Sequence, residues 1–175
     1  MLKQMFIEGM SRAASTVSIV TTAGEAGRDG VTVSAMTSVC VDPGAPSLLV
    51  CMHHKGRTAQ AISKNGAFCV NVLRDEQSRL ADLFAGRLKN EMSDKFGREG
   101  WQTLTTGAPA VSDALVSFDC KLSDSIRCGS HWIFIGEVVE VALGKRRSPL
   151  VYANRAYCRL GSDSGVCRAI GGTAD

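Results

Sequence analysis

The chain has 175 residues, with 45% hydrophobic and 21% charged, the balance of one globular domain with its own core. Twenty basic against 17 acidic residues give a net charge of +3, aromatics are 6%, and no basic stripe with interleaved aromatics points to nucleic acid. No apolar run approaches the ~20 residues of a membrane span, and the opening MLKQMFIEGMSR lacks a signal peptide's apolar centre and cleavage site, so a cytoplasmic location is expected.

Residues 3–13 read as an amphipathic helix with Phe6, Ile7 and Met10 on one side. Residues 16–22 (TVSIVTT) are β-branched and predict a strand. AGEAGRDG at 23–30 carries three glycines and an Asp-Gly pair, a turn signal, and 31–36 (VTVSAM) alternates as the second strand of a hairpin. A loop (42–47, DPGAPS) leads to a short buried strand at 48–52, the polar segment HHKGR at 53–57, a short helix at 58–64 and a strand at 67–73. Leu80, Leu83 and Phe84 place a helix over 76–88, while 89–109 reads as irregular. Residues 114–122 (ALVSFDCKL) alternate cleanly, a strand with one wet face. Residues 132–141 (WIFIGEVVEV) form a long strand whose internal glycine marks a bulge or a close backbone approach. Residues 150–152 and 157–160 supply the last short strands. The domain is expected over 1–160, with 161–175 a loose tail. Six to eight short strands with few helices favour a closed antiparallel barrel.

Several chemistries lack their motifs. The glycines at 24, 27 and 30 do not spell GxGxxG, no P-loop occurs, and the centre of GSDSG is Asp163 rather than a nucleophile. The seven cysteines are odd in number and include no CxxC, so no metal site is expected. Cys51, Cys69 and Cys120 sit in apolar runs as small hydrophobes.

Four stretches can carry chemistry. Residues 32–39 offer four hydroxyls and small residues at a strand end, suited to a planar cofactor ring needing an apolar wall and backbone donors; they also read as a plain hydroxyl-rich strand face. HHKGRT at 53–58 joins Lys55, Arg57 and Thr58 to a glycine and a helix start, a phosphate-binding pattern or a solvated basic loop. SDKF at 93–96 sets a lysine beside an aromatic, a pattern that is mostly plain surface. In GSHWIFIG (129–136), His131 precedes a strand; a lone histidine is often structural.

Together these resemble the flavin reductase family with the FMN-binding split-barrel fold, and within it the reductase components of 4-hydroxyphenylacetate 3-monooxygenases. The resemblance spans about residues 5–160, through FIEGMSRAASTVSIVTT, GVTVSAMTSVCVDPGAPSLLVCM, GAFCVNVLRDEQSRLADLFAG, KF at 95–96, GSHWIFIGEVVEV and PLVYANRAYCRL. It implies a mainly β fold with a few helices, a six-stranded antiparallel Greek-key split barrel, and a homodimer holding FMN or FAD near the subunit interface. It implies that Ser34, Ala35, Met36, Thr37, Ser38 and Val39 line the flavin ring, with Cys51 and His53 near the ribityl chain. Lys55, Gly56, Arg57 and Thr58 would hold the phosphate, Asn71 and Val72 touch the ring side, and Lys95 with Phe96 close the phosphate end. His131 stands where the family's Gly-Asp-His motif places a nicotinamide-contacting histidine, although Ser130 replaces the usual aspartate. Tyr152 and Tyr157 fall in the segment that reaches the nicotinamide side. NADH or NADPH would lie over the flavin, without a dinucleotide-binding domain, and pass a hydride to it.

The resemblance implies an NAD(P)H:flavin oxidoreductase serving a partner monooxygenase. A flavin-dependent reductase of a corrinoid (cob(II)yrinic acid a,c-diamide) shares nearly all these motifs. A flavin-binding protein without turnover is the reading from a different class.

Overall fold

The computed structural model describes residues 1–42, 44, 46–88, 94–97 and 100–160, and the backbone of 167–169. Helix α1 (Leu2–Arg12) forms as its periodicity predicts, yet none of its residues is buried. It is tied down at one end, where the Asn154 amide donates to the Ser11 carbonyl and Arg155 pairs with Glu8 at 3.0 Å.

The strand expected over 16–22 is split into β1 (Ser15–Thr16) and β2 (Ser18–Thr22). At Val17 between them, the amide donates to the Leu150 carbonyl and the carbonyl accepts from the Leu73 amide. Val17 thus passes the chain from one sheet to another. β2 pairs with β3 (Asp29–Val33) and β6 (Ala67–Val72). The turn of the β2–β3 hairpin closes earlier than expected, where the Gly27 amide donates to the Gly24 carbonyl and Gly27 takes a φ of +84°. Asp29 and Gly30 therefore lie in β3, opposite Thr22 and Thr21, rather than in the turn.

The alternation at 31–36 predicts one strand, but the chain breaks at Ser34 and Ala35. β3 and β4 (Met36–Cys40) occupy opposite edges of a seven-stranded sheet ordered β3-β2-β6-β9-β10-β5-β4, with β5 at Ser47–His53, β9 at Val116–Cys128 and β10 at His131–Leu143. The step from Val33 to Met36 spans at most ~11 Å, whereas six flat inter-strand gaps would need ~29 Å. The sheet must therefore curl until its edges meet at 34–35. The result is the antiparallel barrel of six strands, β3-β2-β6-β9-β10-β5, with β4 on its rim. Helix α2 (Arg57–Asn65) carries the crossover from β5 to β6 that makes the order Greek-key.

Val20, Val50, Phe68, Val70 and Phe134 fill the barrel, all fully buried. The glycine expected to mark a bulge or close approach in β10 does both. The register shifts at Ile135/Gly136, and a Cβ on Gly136 would lie 2.5 Å from the Phe68 ring.

Helix α3 (Ser78–Phe84) follows a 3-10 turn at Asp75–Gln77 and packs Leu83 and Phe84 against Ile19, Leu73 and Leu150. It stops short of the expected end at 88, because residues 85–86 turn and Gly86 takes a φ of +76°. The stretch read as irregular contains a two-stranded ribbon, β7 (Trp101–Thr103) with β8 (Pro109–Val111).

β11 (Leu150–Ala153) and β12 (Ala156–Leu160) form a hairpin on β1, with positive φ at both Asn154 and Arg155, as a type I′ turn requires. The expected tail at 161–175 lies outside the described residues except for 167–169. There the backbone pairs with β12 as β13 (Cys167–Ala169), a departure from a loose tail that the open edge of β12 explains. No described helix is long and apolar enough to cross a membrane.

Candidate functional site at the open seam of the barrel

At the end of β5 the chain tightens into α2. The Gly56 amide donates to the His53 carbonyl at 3.0 Å, and the Lys55 amide donates to His53 Nδ1 at 3.2 Å. Gly56 caps α2 without a side-chain hydrogen bond, so first-turn amides sit at the positive end of the helix dipole. Against this end lies an open pocket of about 280 Å³, lined here by His53, Gly56, Arg57 and Thr58.

Lys95 reaches the same pocket from its loop, and its ammonium donates to the Gly30 carbonyl at 3.3 Å. Arg57 is exposed and forms no ion pair among the described residues. Val31, Met52, Ala59 and Phe84 supply the apolar lining, with small Gly30 and Gly86 beside them. Gly30 has to be small, since a Cβ there would come within 2.8 Å of the buried Phe84 ring. Phe96 does not line this pocket; it stands edge-on behind Phe84 at 5.2 Å, covered by the Arg28 guanidinium at 4.5 Å. Its contribution is to fix Phe84.

A second pocket of about 200 Å³ adjoins the first at Ala85, which lines both. Ser34, Val33, Tyr152, Tyr157 and Arg87 line it. The tyrosine rings meet edge-on at 5.7 Å, and Arg87 lies over Tyr157 at 5.4 Å while pairing with Asp82 at 2.9 Å. Burial, and after it the Asp82 carboxylate, push the Tyr157 phenol up to about 12.

The other expected residues fall elsewhere. His131 lines neither pocket; it sits opposite His53 in the β5–β10 register with ring centroids 5.4 Å apart. His54 stacks on His53 at 5.0 Å, so the chain's three histidines share one end of the barrel. His54 is held below the ordinary histidine value by desolvation, then by Arg127, His53, Lys55 and His131. Tyr152 and Tyr157 are therefore brought together with Ser34, and His131 with His53, but neither of the two pockets described holds both sets.

Of residues 34–39 only Ser34 lines either of these two pockets, because the chain changes edge at 34–35 and β4 then runs along the rim. Ala35 accepts the Cys51 amide at 3.1 Å, Met36 packs on the core, and Thr37, Ser38 and Val39 face outward. Cys51 is half-buried, its thiol raised by desolvation and then by Cys128.

Asn71 is turned into the protein rather than toward either pocket. Its amide donates to the Ile19 carbonyl and the Thr21 hydroxyl, and its oxygen accepts from the Val111 amide and the Ser117 hydroxyl. Val72, 7% exposed, accepts the Leu115 amide through its carbonyl. Asn71 thus has a structural place that a ligand contact would have to disrupt.

Sequence reasoning missed Asp29, Phe84 and Arg87. Asp29 was hidden by the turn reading of Asp-Gly, and Phe84 by its role as an apolar helix position. Nothing local distinguishes Arg87 from a surface arginine.

Residues 10–161 match the flavin reductase like domain family. The chain is 40% identical over 156 residues to FMN reductase (NADH) RutF of Acinetobacter baylyi, covering 89% of this chain and 81% of that protein. A flavin reductase structure from Haemophilus somnus superposes with a TM-score of 0.82 at 40% identity, covering 89% of this chain and 97% of the other. BorF, the flavin reductase component of a bacterial two-component tryptophan halogenase, superposes with a TM-score of 0.81 at 31% identity, covering 90% and 97%. With the split barrel and the seam pockets in place, the chain belongs to the flavin reductase like domain family.

Proposed function

We propose that the protein is an NADH-dependent flavin reductase acting on FMN and supplying reduced flavin to a partner monooxygenase. The observation that carries this is the polarity of the seam pocket. One end offers Arg57, Lys95, the Thr58 hydroxyl and the α2 amides, the donor set a phosphate monoester requires. The rest is apolar and cut back by Gly30, Ala59 and Gly86, leaving space for a flat ring system. Flavin supplies the redox chemistry when bound, accepting a hydride and so two electrons from the dihydronicotinamide.

The chain's own work is binding, orientation and shielding. Phe84, braced by Phe96, fixes one wall, and Ala85 joins this wall to the aromatic pocket of Tyr152 and Tyr157. That second pocket is the place we assign to the nicotinamide. His131, beside His53, would steady the dinucleotide at the barrel end through a ring hydrogen bond. A homodimer completes the proposal: Val39 on β4 is 49% exposed and Val41 is 84% exposed, an apolar rim suited to a second copy.

Anaerobic mixing of the purified protein with FMN and NADH tests the reading. It predicts stoichiometric NADH oxidation with loss of the yellow flavin colour, and multiple turnovers when free FMN is in excess. Reduction of a cob(II)alamin-type acceptor faster than free FMN would transfer the activity to the corrinoid reading. No reduction at all would leave only a flavin carrier.

A further inference from the structure

The phosphate end of the seam pocket already contains an anion. Asp29, first residue of β3, has its carboxylate only 13% exposed and lines the pocket together with Lys95 and Thr58. Asp29 Oδ1 lies 3.7 Å from the Lys95 ammonium, and Oδ2 accepts the Thr58 hydroxyl at 3.1 Å. Two of the donors assigned to the flavin phosphate are therefore engaged by a carboxylate of this chain. Arg57 and the α2 amides remain available to an incoming phosphate.

We propose that Asp29 sets the flavin affinity by competing with the flavin phosphate for Lys95 and Thr58. The competition is local and electrostatic. A phosphate monoester brings up to two negative charges against a carboxylate that water screens poorly at this depth. Binding must either draw Lys95 and Thr58 away from Asp29 or share them with it. Either route weakens retention of the phosphate and leaves the ring contacts at Val31, Met52 and Phe84 untouched. A reductase that hands its reduced flavin to another enzyme needs that looseness, since a tightly held flavin does not leave. The inference rests on the flavin reading of the pocket, so its test must separate the two.

The discriminating probes are FMN and riboflavin, which share the ring and differ in the phosphate. Asp29→Asn keeps the shape and a hydrogen-bond acceptor for Thr58 while removing the charge, and Asp29→Ser serves if the amide perturbs folding. Dissociation constants of both flavins are measured by fluorescence titration for the wild type, Asp29→Asn and Lys95→Gln. The proposal predicts that Asp29→Asn binds FMN about tenfold more tightly, binds riboflavin unchanged, and releases FMN more slowly. Lys95→Gln should weaken FMN but not riboflavin. If Lys95→Gln behaves so while Asp29→Asn leaves FMN binding equal or weaker, Asp29 is no competitor and this inference falls alone. If neither substitution separates FMN from riboflavin, the phosphate does not occupy this end, and the pocket reading falls with it.

Discussion

Replacing Asn71 with alanine separates the role implied by the family resemblance from the one its surroundings give it. Asn71 is fully buried and makes four hydrogen bonds to N and O groups on three other strands, β2, β8 and β9. Truncation leaves the Ile19 carbonyl and the Val111 amide without a side-chain partner at a site closed to water. Each stranded group costs about 1–3 kcal/mol. Thr21 and Ser117 can turn their hydroxyls, so the total should be about 3–5 kcal/mol, a large part of the 5–15 kcal/mol typical of a domain. For a chain of this size that corresponds to a fall in Tm of roughly 10 °C. Urea unfolding followed by tryptophan fluorescence gives the stability, and FMN titration well below the new midpoint gives the affinity. The expected result is a large loss of stability with the FMN dissociation constant held within about twofold. Unchanged stability together with a large loss of FMN affinity would refute the structural assignment.

Other substitutions probe the pocket more directly. Arg57→Ala should weaken FMN binding by about 1.5–3 kcal/mol, the value of a charge-assisted hydrogen bond, with no change in Tm because Arg57 is exposed and unpaired among the described residues. His131→Ala should raise the KM for NADH and leave the FMN dissociation constant unchanged; unaltered steady-state kinetics would remove it from the dinucleotide's path. Alkali should destabilise the fold. The buried Cys120 thiol is raised from 9.0 to about 12, first by desolvation and then by Asp119, so the folded protein keeps its proton where the unfolded chain loses it. The contribution of this thiol is therefore constant below pH 9 and falls above it, by up to about 1.4 kcal/mol per pH unit, and Cys120→Ala should flatten that fall in a Tm-against-pH series.

Much of the barrel was legible because its strands are written in β-branched runs and clean alternation. Residues 67–73 and 132–141 yield strands within two residues of their expected limits, 114–122 yields a strand that runs on to Cys128, and 16–22 yields two strands split at Val17. The break at 34–35 was not legible, because alternation continues across it. Only the need to join two sheet edges through two residues puts it there. β7 and β8 are three residues each, too short to carry a period. At the site, the glycine and hydroxyl of 56–58 announced a helix start, and Lys95, expected at the phosphate end from the family resemblance alone, lines the same pocket from 37 residues further along. Asp29 and Asn71 show where local reading stops. Asp29 looks like half of a turn dipeptide until β3 pairs it with Thr22. Asn71 sits in an apolar strand, and its nitrogen and oxygen partners come from 40 to 52 residues away in sequence.

On the proposed reading, the seam pocket brings flavin and nicotinamide together for hydride transfer. The most direct test is single-turnover reduction of FMN by NADH carrying deuterium at nicotinamide C4, mixed anaerobically with the enzyme and followed by flavin absorbance. The account predicts rapid bleaching on the enzyme that slows with the deuterated cofactor, and far slower bleaching in its absence. Equal rates with and without the enzyme would contradict it.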